Sequence, residues 1–225
     1  MRSFLVILKF SFRLNTLTTM FNFIPKVLNK SLRKIINALN RQRLQNHSMS
    51  VLSINCNGAF ILHELGEQFR SPFVNLYLSP ADFLKYLKNM SHYMQAELTF
   101  LATEKRYPVG KLDDLTIHFM HYHSEQEAAS KWAERTKRIN LDNLFVMMTD
   151  RDGCTYQDLQ EFDRLPFKNK VVFTHKPYPE LKSALYVKGF EDKPQVGDLF
   201  EFSGWNGKKY YDQLNYVNWF NGKGF

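Results

Sequence analysis

The sequence predicts an α/β protein in which a mostly parallel sheet is flanked by helices. From residue 50 onward, short β-prone runs alternate with helical segments of about 10 to 15 residues, which is typical of βαβ units. One run, at 143–149, is apolar almost throughout, as expected for a strand that is covered on both faces. The chain has 225 residues, of which 44% are hydrophobic, and this is enough to bury one sizeable core.

The strands are predicted from runs of β-branched and aromatic residues that are bounded by turn residues. They are placed at 50–54, 73–78, 115–122, 143–149, 170–174, 183–190 and 199–202. Helical segments separate the runs up to 170–174, so their pairing is expected to be parallel, with right-handed crossovers. Because no helix is predicted between the last two runs, they indicate a hairpin or an edge extension.

Capping residues mark where the helices begin. Three polar residues that precede helical periodicity are each followed, three positions later, by an acid: Ser79, Ser124 and Thr155. An earlier helix follows the turn at 55–58 and ends at Gly66, and an aromatic helix is expected over 210–221. The predicted fold is therefore Rossmann-like and three-layered, with a C-terminal β-hairpin and helix extension.

A leader at 1–47 differs in charge from the α/β domain at 48–225. Residues 1–50 hold nine Lys and Arg and no Asp or Glu, so this segment carries +9. The whole chain carries +8, which leaves −1 for the remainder. Because the domain lacks an excess of basic residues, nucleic acid is not expected as a partner.

The composition of the leader argues against a membrane span and against export. Its longest apolar run, at 4–8, is far shorter than the roughly 20 residues that cross a bilayer, and Lys9 interrupts the apolar core that a secretory signal needs. Residues 26–43 form a predicted basic amphipathic helix. This helix either contacts an anionic membrane surface or docks on its own domain. Cys56 and Cys154 are expected to be free thiols, which predicts a cytoplasmic protein. Peripheral contact of the protein with the inner face of the cytoplasmic membrane is one alternative.

The first candidate loop is Asn55, Cys56, Asn57 and Gly58, which follows the first predicted strand. Ligands of open α/β sheets bind outside the carboxyl ends of the strands, and the free N–H groups of a helix N-terminus suit a phosphate or a carboxylate. Alternatively, the two Asn side chains cap a turn and Cys56 packs as a small apolar residue. Cys56 is also a candidate nucleophile, since a helix N-terminus lowers the pKa of a thiol.

The second candidate loop follows the predicted strand at 115–122. Strand alternation places His121 and His123 on one side and His118 on the other, so the three cannot face one metal ion, and no metal site is predicted. His121 or His123 is expected to lie over the site as an acid, a base or a hydrogen-bond donor. His118 is expected to be structural, and no cofactor can be assigned.

The third candidate loop is Asp150, Arg151 and Asp152, which follows the apolar strand at 143–149. Its carboxylates suit a divalent ion or a sugar hydroxyl, and Arg151 suits a phosphate. A turn that begins the next helix explains the same residues without any ligand.

Several short segments in a fixed order resemble one bacterial family. They are Asn55-Cys56-Asn57-Gly58, Ser71-Pro72, Tyr107-Pro108-Val109-Gly110, His118-Phe119-Met120-His121-Tyr122, Lys131-Trp132-Ala133-Glu134-Arg135 with Arg138-Ile139-Asn140, and 145–152. Over 48–221 the chain is similar to the family of domains of unknown function numbered 1919. The resemblance implies an α/β fold and a role in exopolysaccharide biosynthesis, but it implies no catalytic residues.

In that context the first hypothesis is a transferase, of the glycosyl or acyl type, that binds a phosphorylated donor at the turn from Asn55 to Gly58. His121 is the candidate base, and Asp150 or Asp152 contacts the donor or a metal. The partners would be an activated sugar or acyl donor and a polysaccharide or lipid-linked acceptor.

The alternative hypothesis is a non-catalytic carbohydrate-binding or assembly protein, with aromatic side chains as its contact surface. Its candidates, for which core packing is the competing explanation, are Trp205, Tyr210, Tyr211 and Trp219. A thiol-dependent hydrolase that uses Cys56 is the third hypothesis.

Overall fold

The computed structural model of the chain describes residues 27–224. The predictions for the apolar run at 4–8 and for the rest of the leader before residue 27 lie outside this range. The helices are α1 (27–43), α2 (Asn57–Leu65), α3 (Pro80–Lys88), α4 (Met90–Tyr93), α5 (Glu125–Thr136), α6 (Tyr156–Arg164) and α7 (Tyr216–Phe220). The strands are β1 (Ser50–Ser53), β2 (Leu98–Leu101), β3 (Val109–Leu112), β4 (Leu115–His118), β5 (Leu144–Thr149), β6 (Asn169–Thr174) and β7 (Ala184–Tyr186).

Four strands form a parallel sheet in the order β1-β5-β6-β7. The predicted parallel pairing is thereby confirmed for the runs at 50–54, 143–149 and 170–174 but not for 73–78 and 115–122, and the fold is α/β. The last residue of β1, Ser53, lies opposite Met147, and the last residue of β5, Thr149, lies opposite Phe173 of β6. The loops that follow these strands therefore leave the sheet at one edge.

The central strand β5 is buried on both faces, as the apolar run at 143–149 predicts. Val146 and Met148 contact a hydrophobic cluster that includes side chains of α3, α5 and α6. Phe145 and Met147 contact a second cluster that includes side chains of α2 and of the C-terminal segment. Each of these side chains is fully or almost fully buried, and such burial contributes roughly 1.5 to 3 kcal/mol per side chain.

The helix starts are also largely as predicted. Ser79 accepts a hydrogen bond from the Asp82 N–H, and Thr155 forms a complete capping box with Asp158. Ser124 accepts from the Glu127 N–H, but the Glu127 carboxylate accepts from the N–H of the residue before the cap. These starts depend on contacts within four residues, which is why the sequence reveals them.

A second sheet, antiparallel in the order β2-β3-β4, was not predicted. The strand predicted at 115–122 is too long, because β4 ends at His118. β4 pairs antiparallel with β3, which precedes it in the chain. Asp113 and Asp114 form the two-residue turn between β3 and β4. Asp113 has a φ of 57°, a left-handed conformation that Asp tolerates in such hairpin turns.

The strand predicted at 73–78 is wrong. Its residues are mostly buried, but they form a single antiparallel bridge between Tyr77 and His118. Asn75 has a φ of 59°, which interrupts the extended conformation that a strand needs. The segment still reaches the large sheet, because the Leu78 N–H donates to the Ile54 carbonyl oxygen at 3.3 Å.

Of the two alternatives predicted for 183–190 and 199–202, the hairpin is wrong, and the edge extension is correct for the first run. β7 pairs in parallel with β6 at the edge of the large sheet, and a lone bridge joins Phe202 to Lys209. The predicted helix at 210–221 divides into a 3-10 helix, Tyr210–Gln213, and the short α7. Asn215 begins α7 by accepting from the Asn218 N–H, which explains the break between the two helices.

The amphipathic helix predicted at 26–43 is confirmed as α1, and the face that lies against the domain holds Asn29 and Arg33 with the half-buried Leu32 and Ile36. Arg33 is buried on this face and pairs with Glu64 of α2 and, at 2.5 Å, with Asp212. Gly207 lies opposite with a φ of +73°, and a Cβ there would come within 2.6 Å of the Leu32 Cβ. Contact with a membrane stays a prediction, as does the division at residue 47. Between residues 27 and 224, no helix is long and apolar enough to cross a membrane.

Candidate functional site

A cleft of about 400 Å³ opens at the carboxyl ends of β1 and β5. Six of the predicted site residues line it: Asn55, Cys56, Asn57, His121, Arg151 and Asp152. The three candidate loops therefore meet in one space. Two of them leave the parallel sheet at the same edge, after β1 and β5, whereas the loop that holds His121 follows β4 of the antiparallel sheet. Gly58, His123 and Asp150 do not line the cleft, and the roles predicted for all nine residues stay predictions.

The turn between β1 and α2 is held by its own polar side chains. The Asn55 amide donates from Nδ2 to Thr149 Oγ1 at the end of β5, at 3.0 Å, and its Oδ1 accepts from the Asn57 N–H at 3.2 Å. The Gly58 N–H donates to Ser53 Oγ at 3.2 Å. Two N–H groups of the first helical turn therefore already have acceptors, which weakens the case for a phosphate cradle at this position.

Gly58 allows α2 to approach β1 closely. A Cβ at this position would lie 2.7 Å from the Ser53 Cβ and 3.0 Å from Val51 Cγ1, which is shorter than side-chain carbons tolerate. Its role in the structure is to set the distance between helix and strand, and so to position the neighbouring Cys56 and Asn57 at the cleft.

The thiol of Cys56 is partly buried in the cleft wall. Burial, and then the negative charge of Asp198, raise the pKa of this thiol above its ordinary value. This is the opposite of the lowered pKa that a helix N-terminus favours, so Cys56 is protonated at neutral pH. A protonated thiol is a poor nucleophile.

Arg151 is held between two carboxylates at the mouth of the cleft. Its Nε lies 3.2 Å from Asp152 Oδ2, and its Nη1 donates to Asp198 Oδ1 at 2.8 Å. Burial opposes the charged form of Arg151, but these carboxylates raise its pKa above the ordinary value. The three side chains together carry −1, so the cleft has no surplus positive charge for an anion.

Asp150 turns away from the cleft and is buried behind it. Its Oδ2 accepts from the His175 N–H at 2.7 Å and lies 2.5 Å from His175 Nδ1, while its Oδ1 accepts from the Val196 N–H at 2.9 Å. Both oxygens are therefore engaged within the protein rather than open to a metal or a donor. Asp150 joins the loop after β5 to the loop after β6, and the sequence does not single out His175.

Strand alternation does not govern the three histidines, because β4 ends at His118 and residues 119–123 lie beyond the strand. His121 lines the cleft, whereas the backbone N–H of His123 donates to Glu127 Oε2 at the start of α5. The ring of His118 stacks on Tyr77, with 5.3 Å between ring centroids, and its Nδ1 is buried without a hydrogen-bond partner. Burial lowers the pKa of His118, which favours the neutral ring.

The remaining walls of the cleft come from residues that the sequence does not identify as functional. These are Leu76, Tyr77, Tyr107, Met120, Asp198 and Phe200. Tyr107 lies in the Tyr107-Pro108-Val109-Gly110 segment of the family resemblance, which is the one signal that could have drawn attention to it. Asp198 and Phe200 lie in an irregular segment. Asp198 contacts Arg151 of the loop after β5, and Phe200 packs on Phe60 of α2 with ring centroids 4.6 Å apart.

The aromatic residues considered for sugar stacking divide between the core and the surface. Tyr211 and Trp219 are buried in the second hydrophobic cluster, and Tyr210 packs on Phe190 with ring centroids 4.5 Å apart. Trp205 is 68% exposed, but it does not line the cleft. In the described part of the chain, no group of three or more His, Cys, Asp or Glu side chains is arranged to hold a metal ion.

Comparison with known proteins agrees with the motifs found in the sequence. The model of the family described as "Domain of unknown function (DUF1919)" matches residues 27–221. The chain belongs to the DUF1919 family. The match begins at α1, so the DUF1919 domain includes the helix that Arg33 attaches. It therefore begins earlier than the range of 48–221 inferred from the motifs. This DUF1919 protein is 66% identical, over 201 residues, to an "Uncharacterized protein" of Haemophilus influenzae (strain ATCC 51907 / DSM 11121 / KW20 / Rd), covering 89% of this chain and 98% of that protein.

Proposed function

We propose that this DUF1919 protein is a glycosyltransferase of bacterial surface-polysaccharide biosynthesis that binds the sugar portion of an activated donor in the cleft. The observation that carries the proposal is the composition of the cleft walls, in which aromatic rings, amides and carboxylates face one space at the carboxyl edge of a parallel sheet. A Rossmann-like, three-layer arrangement is part of the proposal. The hydrophobic clusters on both faces of the sheet support it.

The chemistry of a sugar matches these walls. The C–H face of a pyranose ring packs on aromatic rings such as those of Tyr77 and Tyr107, and its hydroxyl groups donate to carboxylates such as that of Asp152. A volume of about 400 Å³ lies within the range of small-molecule sites.

The charge of the cleft decides which part of the donor it holds. Arg151 is neutralised by Asp152 and Asp198, and the N–H groups of Asn57 and Gly58 already have acceptors. A bare phosphate would therefore meet a net negative charge. We place the sugar inside the cleft and the phosphates of the donor toward solvent, with His121 as the candidate base and a polysaccharide or lipid-linked acceptor.

The state of the thiol disfavours acyl transfer through a covalent intermediate on Cys56. Acyl transfer through a covalent intermediate needs an activated nucleophile, and burial keeps Cys56 protonated. Direct glycosyl transfer needs only a base near the acceptor hydroxyl.

A specific observation favours the alternative, a non-catalytic carbohydrate-binding or assembly protein. Asp152 and Asp198 both pair with Arg151, which leaves neither carboxylate free to act as a base. Such a protein would bind the sugar in the same cleft and leave it unchanged.

A thermal-shift screen with nucleotide-sugars, the corresponding nucleotides, free sugars and coenzyme A tests the proposal. A ligand at 100 times its Kd stabilises the native state by about 2.7 kcal/mol. We expect stabilisation by nucleotide-sugars and weaker stabilisation by free sugars. If no sugar-containing compound shifts the melting temperature at millimolar concentration, the proposal is wrong. Release of nucleotide in the presence of acceptor then separates the transferase from the binding protein.

The variant Asp152→Asn locates the site. Asn tolerates the left-handed conformation of residue 152, whose φ is 61°, so the loop should keep its shape. We expect about a tenfold loss of affinity, because a charge-assisted hydrogen bond becomes a neutral one. The control Asp142→Asn, at an exposed position outside the cleft, should bind as the wild type does.

A further inference from the structure

The helix α1 attaches to the domain mainly through polar side chains, with Leu32 and Ile36 half-buried beside them. The Arg33 side chain is only 6% exposed and is surrounded by Glu64, Asp212 and the hydroxyl groups of Tyr211 and Tyr216. The attachment of α1 is therefore made largely by buried ionic and hydrogen-bonded contacts.

Other aliphatic side chains of α1 point outward. Leu28, Ile35 and Leu39 are 44%, 59% and 54% exposed. Their spacing of seven and four residues places them on one stripe along the helix, which we call the outer stripe. The polar contacts on the opposite face fix the rotation of α1 about its axis, so the exposure of the outer stripe follows from specific contacts. An apolar stripe of this kind marks a surface that contacts something else.

Basic residues flank the outer stripe. Lys30, Lys34 and Arg43 are all exposed, and residues 1–50 contain no acidic residue. The 26 residues that precede α1 in the sequence add further basic and apolar side chains. The partner of this surface should therefore be apolar and negatively charged.

We infer that the outer stripe and its basic flanks dock on an anionic lipid surface, with α1 lying in the plane of the headgroups. Aliphatic side chains on one face of a helix and Lys or Arg beside them are the features of interfacial helices. A second copy of the chain fits less well. Two such helices would bring like charges together, and a stable dimer needs about 800 Å² from each partner, more than three aliphatic side chains supply.

The inference does not require the proposed function, but it adds to it. Phe200 lines the cleft, and it also lines a groove of about 390 Å³ that includes Lys30 and Lys34 of α1. The surface that would contact lipid is thus continuous with the wall of the ligand cleft. A lipid-linked acceptor would be delivered beside the site.

Vesicle sedimentation of the full chain tests the inference. We expect binding to vesicles of phosphatidylcholine with 30% phosphatidylglycerol, about tenfold weaker binding to pure phosphatidylcholine, and loss of binding as salt is raised. The double variant Ile35→Ser/Leu39→Ser should reduce the partition coefficient by about tenfold or more, while the control Leu141→Ser, at a leucine that is 56% exposed elsewhere, should not. Lys30→Gln/Lys34→Gln should also weaken binding, and Lys137→Gln/Lys168→Gln should leave it unchanged.

Three results would overturn the inference. The wild type could fail to sediment with anionic vesicles. The Ile35→Ser/Leu39→Ser variant could bind as the wild type does, which would assign binding to another segment. Light scattering could show a wild-type dimer that this variant dissociates, which would assign the stripe to a second copy. Melting curves check that the variants fold. The thermal shift with nucleotide-sugars should be the same in the wild type and in Ile35→Ser/Leu39→Ser, so that the two proposals succeed or fail separately.

Discussion

The replacement Arg33→Met tests whether buried ionic contacts hold α1 on the domain. Met preserves most of the length and apolar stem of Arg but removes the guanidinium. In the native structure this group pairs with Glu64 and Asp212, whose side chains are 13% and 10% exposed. The variant leaves both carboxylates in a largely buried site, with Lys209 as the remaining cation at 2.9 Å from Glu64.

The expected loss of stability is about 3 to 5 kcal/mol, the usual range when one partner of a buried ion pair is removed. Lys209 retains one contact to Glu64, so the lower half of this range is the more reasonable expectation. The control Arg41→Met removes an exposed side chain whose Nε donates to the Glu64 carbonyl oxygen at 2.9 Å. That change should lower the free energy of unfolding by less than about 1 kcal/mol.

The effect should depend on pH in a defined direction. Burial opposes the charged form of Glu64, but hydrogen bonds from Arg33, Tyr211 and Lys209 lower its pKa below the ordinary value of 4.5. Its stabilising contribution is therefore present above about pH 4.5 and is lost as the pH falls through the folded-state pKa. In Arg33→Met the carboxyl can protonate at a higher pH, so the difference between variant and wild type should shrink below about pH 5.

Urea unfolding followed by circular dichroism, at pH 7 and at several values down to pH 4, measures both quantities. The reasoning is refuted if Arg33→Met loses no more stability than Arg41→Met, or if its deficit grows as the pH falls. An unchanged slope of free energy against urea would show that the variant still unfolds as one unit.

Three further predictions concern the cleft and its supports. Gly58→Ala should lower the free energy of unfolding by about 1 to 3 kcal/mol, because the new Cβ overlaps Ser53, and thermal denaturation measures this. Asp150→Asn should lower the free energy of unfolding by about 2 kcal/mol, because charge-assisted hydrogen bonds to the His175 and Val196 segments become neutral. An unfolding midpoint equal to that of the wild type would contradict this prediction. Burial raises the pKa of Cys154 from 9.0 to about 12, so at neutral pH its thiolate should be about 1000-fold scarcer than that of an ordinary thiol. Alkylation at pH 7 and pH 10, followed by mass spectrometry, should therefore show slow labelling of Cys154 that becomes faster as the pH rises.

The parts of the fold that the sequence predicts are those decided by local or one-dimensional signals. β5 is apolar in succession because both its faces are covered, and Thr155 caps α6 through an acid three residues later. The elements that are predicted wrongly depend on which segment of the chain they pair with, and the local sequence does not give that partner. Residues 73–78 have the composition of a strand, but Asn75 adopts a positive φ, and their neighbours in space come from β1 and β4.

The site follows the same division. Parallel strands end at one edge, so the meeting of Cys56 and Arg151 follows from topology. His121 follows β4 of the antiparallel sheet, so its place in the cleft does not follow from the parallel topology. The direction in which Asp150 points does not, because its buried partners lie 25 and 46 residues further along the chain. Asp198 belongs to an irregular segment with no periodicity, and its contact with Arg151 spans 47 residues.

The position of α2 between two different surfaces has a thermodynamic consequence. Its first residue, Asn57, lines the cleft, and Glu64, seven residues later, holds α1. Seven residues of helix span about 10 Å, too short a rod to bend appreciably. If a ligand in the cleft shifts the first turn of α2, it also shifts the Glu64 carboxylate that pairs with Arg33. Binding in the cleft and binding at α1 would then be coupled, and each would change the affinity of the other by the same factor.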